Sequence, residues 1–313
     1  MKLNKTLKLA TAAVLAALSI SAKADVITFD PTGTAGPGGN LSNVALFDWA
    51  PGSALAVGVN SAGGLTAGST FTTYLQANLG TVQAASTAPL FTNGGGGNFF
   101  TVSAGFGEKV LTCSAGGGGF CNNATFGFDA AGATNFFKIF AVGGTANNLT
   151  GAGFTGSSIL TGHLVPSGFG SNFALSSTTA VPLDQSPNGN QWPGVNTVSG
   201  TGSSDITIFI DSVNANYFPD LLAGSSITFS AFNTSQILAF KQVDPSQCLS
   251  NGLADCAIAS NVGLFNGSPG SGPNILFQAD GNQSFQRVPE PATVALFGLG
   301  LLGMGLSYRR RKD

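Results

Sequence analysis

Charge is what this 313-residue chain has least of: Lys, Arg, Asp and Glu together make up 8% of it. Between residues 25 and 288 only four basic residues occur, Lys109, Lys138, Lys241 and Arg287, against twelve acidic ones, a balance of −8 where the full chain has −2. A body so poor in cations has no Lys/Arg patch with which to neutralise phosphates, which excludes nucleic acid as a partner. Histidine is nearly absent as well. The one copy, His163, sits in an alternating stretch that suits a surface or packing position, and no G-x-S-x-G occurs anywhere to supply a nucleophile elbow. The body's single glutamate, Glu108, leaves paired-carboxylate glycoside chemistry to scattered aspartates, none of which is marked as a pair. No EF-hand pattern is present. Asp280-Gly281-Asn282 offers oxygen donors that could hold calcium, a solvated turn being the simpler reading; no other cofactor or metal is expected. No residue of the body reads as catalytic, and the expectation is a protein that is not an enzyme.

What is abundant points to a folded β domain. Glycine (45 residues) with Ser, Thr and Asn could suggest disorder, but disordered chains are highly charged and poor in aromatics, and this one has 25 Phe. Short alternating or β-branched runs recur at 26–29, 54–59, 70–79, 99–102, 136–142, 157–164, 205–213, 226–232, 237–243 and 274–278. Turn pairs such as Pro51-Gly52, Asn93-Gly94 and Asn251-Gly252 stand between them. No helix longer than three turns is apparent in the body. The pattern predicts an all-β, antiparallel β-sandwich or jelly-roll-like single domain over residues 25–279, with a flexible spacer at 280–288.

Four cysteines fall in two pairs, Cys113/Cys121 and Cys248/Cys256, each with seven residues between. Three connectivities are open; two local disulfides are the simplest, each closing a short loop in an oxidising compartment. A zinc site would space its ligands more tightly.

The two ends differ from the body. Lys2, Lys5 and Lys8 precede an uncharged run at 9–20, and Ala22-Lys23-Ala24 gives the small-x-small pattern that signal peptidase cuts, so residues 1–24 read as a signal peptide cleaved between Ala24 and Asp25. At the other end, Pro289-Glu290-Pro291 leads into 292–308, a stretch without formal charge, followed by Arg309, Arg310, Arg311 and Lys312. Such a stretch can form a short transmembrane helix whose first turn accommodates Pro291 and whose basic stop stays cytoplasmic. Within it, Gly298, Gly300 and Gly303 match a dinucleotide fingerprint formally, but no strand precedes them and no βα unit follows.

The order of motif, apolar helix and basic stop over 288–313 resembles the PEP-CTERM sorting signal. That resemblance implies processing by exosortase, a membrane cysteine protease or transpeptidase, after transient anchoring in the inner membrane through the C-terminal helix. The body has a likeness too: Phe47-Asp48-Trp49-Ala50-Pro51-Gly52-Ser53-Ala54-Leu55-Ala56 and Phe71-Thr72-Thr73-Tyr74-Leu75-Gln76-Ala77 are similar to flocculation-associated PEP-CTERM proteins of the PepA type. What this implies is an exported protein of the cell surface or extracellular matrix that promotes floc or biofilm formation with exopolysaccharide, with no catalytic residues to carry over. Trp49, Tyr74, Trp192 and Tyr217 could form a platform for sugar rings, core packing being the favoured role. A matrix polysaccharide-acting enzyme and a periplasmic protein kept in the inner membrane are the alternatives.

Overall fold

The structure, a computed structural model, describes residues 25–286 apart from 35, 37, 60–63, 87, 116–120, 236 and 269–271. The expected signal peptide, the Pro289-Glu290-Pro291 motif, the 292–308 helix and the basic stop at 309–312 lie outside the described residues.

Among the described residues fourteen strands follow one another: β1 (Ile27–Phe29), β2 (Leu41–Val57), β3 (Thr70–Ala84), β4 (Pro89–Thr92), β5 (Phe99–Ala115), β6 (Cys121–Phe128), β7 (Asn135–Val142), β8 (Ser157–Pro182), β9 (Asn196–Val213), β10 (Ser226–Ser235), β11 (Cys248–Leu249), β12 (Ile258–Ala259), β13 (Phe265–Asn266) and β14 (Asn274–Gln286). The all-β, antiparallel character expected from the sequence is what the structure shows. Its organisation is one large sheet rather than two packed ones, because the pairing runs β2-β14-β10-β9-β8-β6-β5-β3 and then returns to β2. Between β5 and β8 the wall is shared. β7 fills one end, pairing Phe99–Phe106 of β5, and β6 fills the other, pairing Glu108–Ala115. A closed ring removes the long open edges that an acidic, glycine-rich sheet would otherwise expose.

Register breaks run from strand to strand around the ring: Trp49/Ser53 on β2, Ala279/Gly281 on β14, Phe229/Phe232 on β10 and Leu164/Phe169 on β8. Bulges of this kind bend strands and sharpen twist. They let strands of up to 26 residues wrap a closed barrel. Pro51-Gly52, a turn signal in the sequence, lies inside β2 at such a break. A Cβ on Gly52 would stand 2.2 Å from the carbonyl oxygen of Gln76 on β3, so only glycine lets the two strands approach.

The breaks divide the interior. On one side Phe29, Phe47, Trp49, Phe100, Phe218 and Phe285 are fully buried and meet largely edge to face, with Phe29 to Phe47 at 4.9 Å and Phe47 to Phe285 at 5.2 Å between ring centres. Such pairs add about 0.5–1.5 kcal/mol each beyond burial. β1 and the β9–β10 connection, through Phe29, Phe218 and Leu221, close this end of the barrel. Both ends of the described chain are here: the amide of Asp25 donates to the Phe285 carbonyl (2.9 Å), and Ser226 pairs with Gln286.

A smaller core lies outside the ring. Leu55 of β2 and Leu276 of β14 are covered by Leu183 after β8, Phe240 after β10, Leu249 of β11 and Val262 after β12. Residues 237–243, expected as a strand, instead form turns, because the role of this apolar run is to lower Ala239 and Phe240 onto the outer face of the barrel. Residues 280–286, expected as the beginning of a spacer, are the second half of β14, where Gln283 and Phe285 face inward.

Candidate functional site

On the other side of the breaks the barrel interior is not filled. An apolar cavity of about 140 Å³ is walled by β2, β3, β5, β6, β8, β9 and β14, with Gly64, Leu65 and Gly267 from adjoining connections completing it. Alternation puts Phe71 and Thr73 of β3, Phe106 and Glu108 of β5, Ala124 and Phe126 of β6, Phe173 and Leu175 of β8 and Phe277 of β14 on its surface. The space exists because the inward residues here include Ala56, Ala124, Ser171 and Ser204, where the packed end of β2 holds Phe47 and Trp49 and β8 and β9 hold Leu160, Leu164, Ile208 and Ile210. Where the packed end closes, this end stays hollow.

Glu108 is the one ionisable side chain among the described wall residues; the other charged residues of the neighbouring strand segments, Lys109 and Asp205, are exposed. It is 6% exposed, and the hydroxyl of Thr73 donates to its Oε2. Burial pushes its carboxyl up from the ordinary 4.5 to about 7, the hydrogen bond from Thr73 pulling the other way. The remaining polar groups of the wall are partnered within it or beside it: Ser204 Oγ donates to Ser171 Oγ (2.8 Å), Asn172 Nδ2 to Ser203 Oγ (3.0 Å) and Asn266 Nδ2 to the Leu276 carbonyl. Composition singled out Glu108 only as the body's lone glutamate. The signal that would have placed it indoors is the inward phase of β5, where Phe100, Val102, Ala104 and Phe106 precede it at every second position.

The other candidates are scattered. Trp49 is buried in the packed core with Nε1 donating to Gln283 Oε1 (3.0 Å), and Trp192 donates to the Pro245 carbonyl (3.0 Å) beside the outer core. Tyr74 packs near Phe136, and Tyr217 packs on Phe100 at the closed end. Trp49 and Tyr217 belong to the inner core and Tyr74 and Trp192 to the outer one, so the four rings form no common platform and pack within the two cores. His163 lies on the outer surface, with Nδ1 2.9 Å from Asp211 Oδ1 and its ring against Phe209. Asp280-Gly281-Asn282 belongs to β14 rather than a turn. Burial, and then the neighbouring Asp48 carboxylate, raises the pKa of Asp280, an amide hydrogen bond from Gly281 opposing both. Among the described residues no group of three or more His, Cys, Asp or Glu is placed to hold a metal.

Both expected disulfides are formed, Cys113–Cys121 and Cys248–Cys256. The second pins a loop that docks on β3 through buried polar groups. Gln76 Oε1 accepts from the Ser250 amide (3.0 Å) and Gln76 Nε2 donates to Ser246 Oγ (3.2 Å), while Asn148 Nδ2 of the β7–β8 connection donates to Ser53 Oγ on β2 (2.7 Å).

Residues 287–311 match the family profile of the PEP-CTERM protein-sorting motif. No curated protein and no solved structure matches the chain.

Proposed function

We propose that this protein is an exported, non-enzymatic component of the extracellular matrix, delivered as an exosortase substrate and promoting floc or biofilm formation with exopolysaccharide. The sorting-motif match at 287–311 carries the reading: it implies processing by exosortase and a C-terminal membrane anchor before that processing. The barrel fits such a route. Asp25, the first residue after the expected signal peptidase cut, and Gln286, the last before the tail, meet at one end of it. Cleavage at Ala24 and processing of the tail would therefore both act beside the closed end and leave the ring untouched. Two disulfides suit an oxidising exterior.

A body of net charge −8 repels strongly acidic polymers, so neutral or amino sugars, or acidic chains bridged by calcium, are the partners its field allows. Replacing Pro289-Glu290-Pro291 by three alanines should leave the protein exported but held in the inner membrane with its tail attached. Deleting the gene should disperse flocs while polysaccharide synthesis continues. Normal delivery of the triple-alanine protein to the medium or floc would refute the sorting route. Shortening of a polysaccharide by the purified protein, abolished by one Asp or Glu substitution, would refute the non-enzymatic role.

A further inference from the structure

We propose that the hollow half of the barrel is a binding site for a small aromatic molecule carrying one hydroxyl or N–H donor, with its ring among Phe71, Phe106, Phe126, Phe173 and Phe277 and its donor on Glu108. The cavity size sets the ligand class. An apolar protein cavity of about 150 Å³ accommodates benzene, and this one measures about 140 Å³, which suits a single ring with one small polar substituent and excludes long acyl chains and sugars. Chemistry of the wall agrees. Phenylalanine edges and faces pack best on another aromatic ring, and a pocket otherwise apolar with one polar anchor is the usual form of a small-molecule site.

Glu108 selects the donor. A buried carboxyl costs several kcal/mol unless it is matched. A purely structural barrel would have an apolar residue at this inward position, as β5 has at Phe100, Val102, Ala104 and Phe106. Thr73 supplies one hydrogen bond to a group with acceptor capacity for several. Ser204 and Ser171 are hydrogen-bonded to each other and Asn266 to the Leu276 carbonyl, so Glu108, with most of its acceptor capacity unused, is the strongest acceptor that faces a ligand donor. An anionic ligand would set two negative charges together in an apolar space and is disfavoured. The cavity lies at the end of the ring opposite Asp25 and Gln286, so tethering the chain at its tail leaves it facing away from the tether.

The test is a fluorine NMR titration of the exported protein at pH 8 with 4-fluorophenol, fluorobenzene and 4-fluorobenzoate. 4-Fluorophenol should bind with a sub-millimolar Kd, fluorobenzene roughly tenfold more weakly, as loss of one hydrogen bond to a charged group implies, and 4-fluorobenzoate not at all. Glu108→Gln should remove most of the preference for the phenol and leave fluorobenzene unchanged. Ala124→Leu should abolish binding of both; if that variant does not fold, Leu175→Trp fills the same space from another strand. Absence of binding by all three probes, binding unaffected by filling the cavity, or equal affinity for benzoate and phenol would each overturn the proposal.

Discussion

The two ends of the barrel interior share the long strands β2, β3, β5, β8, β9 and β14, with β7 completing the wall at one end and β6 at the other, and they differ in how they are filled. At the closed end six large aromatic side chains interlock, and β1 with the β9–β10 connection plugs the opening. At the other end Ala56, Ala124, Ser171 and Ser204 alternate with Phe71, Phe106, Phe126, Phe173 and Phe277, leave a cavity, and bury the body's one glutamate in its wall. The difference places the densest aromatic packing at the closed end and the free volume at the other. The bulges between them mark where the chain stops filling space and starts lining it.

Large-to-small substitution breaks the comparison most directly. Phe47→Ala at the closed end should cost about 3–5 kcal/mol, because its neighbours are fixed by their own packing and cannot collapse into the void. Leu175→Ala in the cavity wall should cost about 1 kcal/mol, because it enlarges a space that is already there. Urea unfolding of the two variants checks this, and equal losses would erase the distinction between the ends.

Acidity sharpens it next. In the unfolded chain Glu108 titrates near 4.5, whereas in the barrel it titrates near 7. Between those values the folded state keeps a proton that the unfolded state has lost. Stability is therefore full below the lower value, declines as pH rises through the interval, and levels off above the upper one, with a loss on the order of 3 kcal/mol. Glu108→Gln should match the parent near pH 5, exceed it at pH 8, and flatten its melting temperature across that range.

The disulfides lie outside the comparison of the two ends. Replacing either pair by serines should cost about 2–3 kcal/mol, as expected for closing so short a loop. Removal of Cys248–Cys256 should also raise hydrogen exchange at Ser250, whose amide is held by Gln76. Peptide mapping without reductant checks the pairing itself.

The sequence made the closed end legible and the hollow end much less so. The 205–213 part of β9 carries apolar residues at every even position from 206 to 210, β7 is an apolar run broken only by Lys138, and local pairing was the simplest of the three cysteine connectivities. β6, with Cys121-Asn122-Asn123-Ala124-Thr125-Phe126-Gly127-Phe128, and the second half of β8 are dominated by small and polar residues, so no hydrophobic period marks them as strands. That small inward residue is the cavity: what erased the strand signal is what made the space. Closure of the ring was invisible for a different reason. The β2–β3 and β2–β14 pairings depend on long-range register, with Trp49 opposite Gly281 some 230 positions along the chain, and no local pattern encodes such a partner. The tail was legible because motif, apolar stretch and basic stop are contiguous.

The claim on which the functional account rests is that this barrel is released from both of its chain ends. Intact-mass spectrometry of the protein recovered from the floc or medium tests it in one measurement. The account predicts a chain that begins at Asp25 and no longer carries residues 292–313, with both disulfides intact. A recovered mass that still includes the apolar stretch and the Arg309-Arg310-Arg311-Lys312 stop would contradict it.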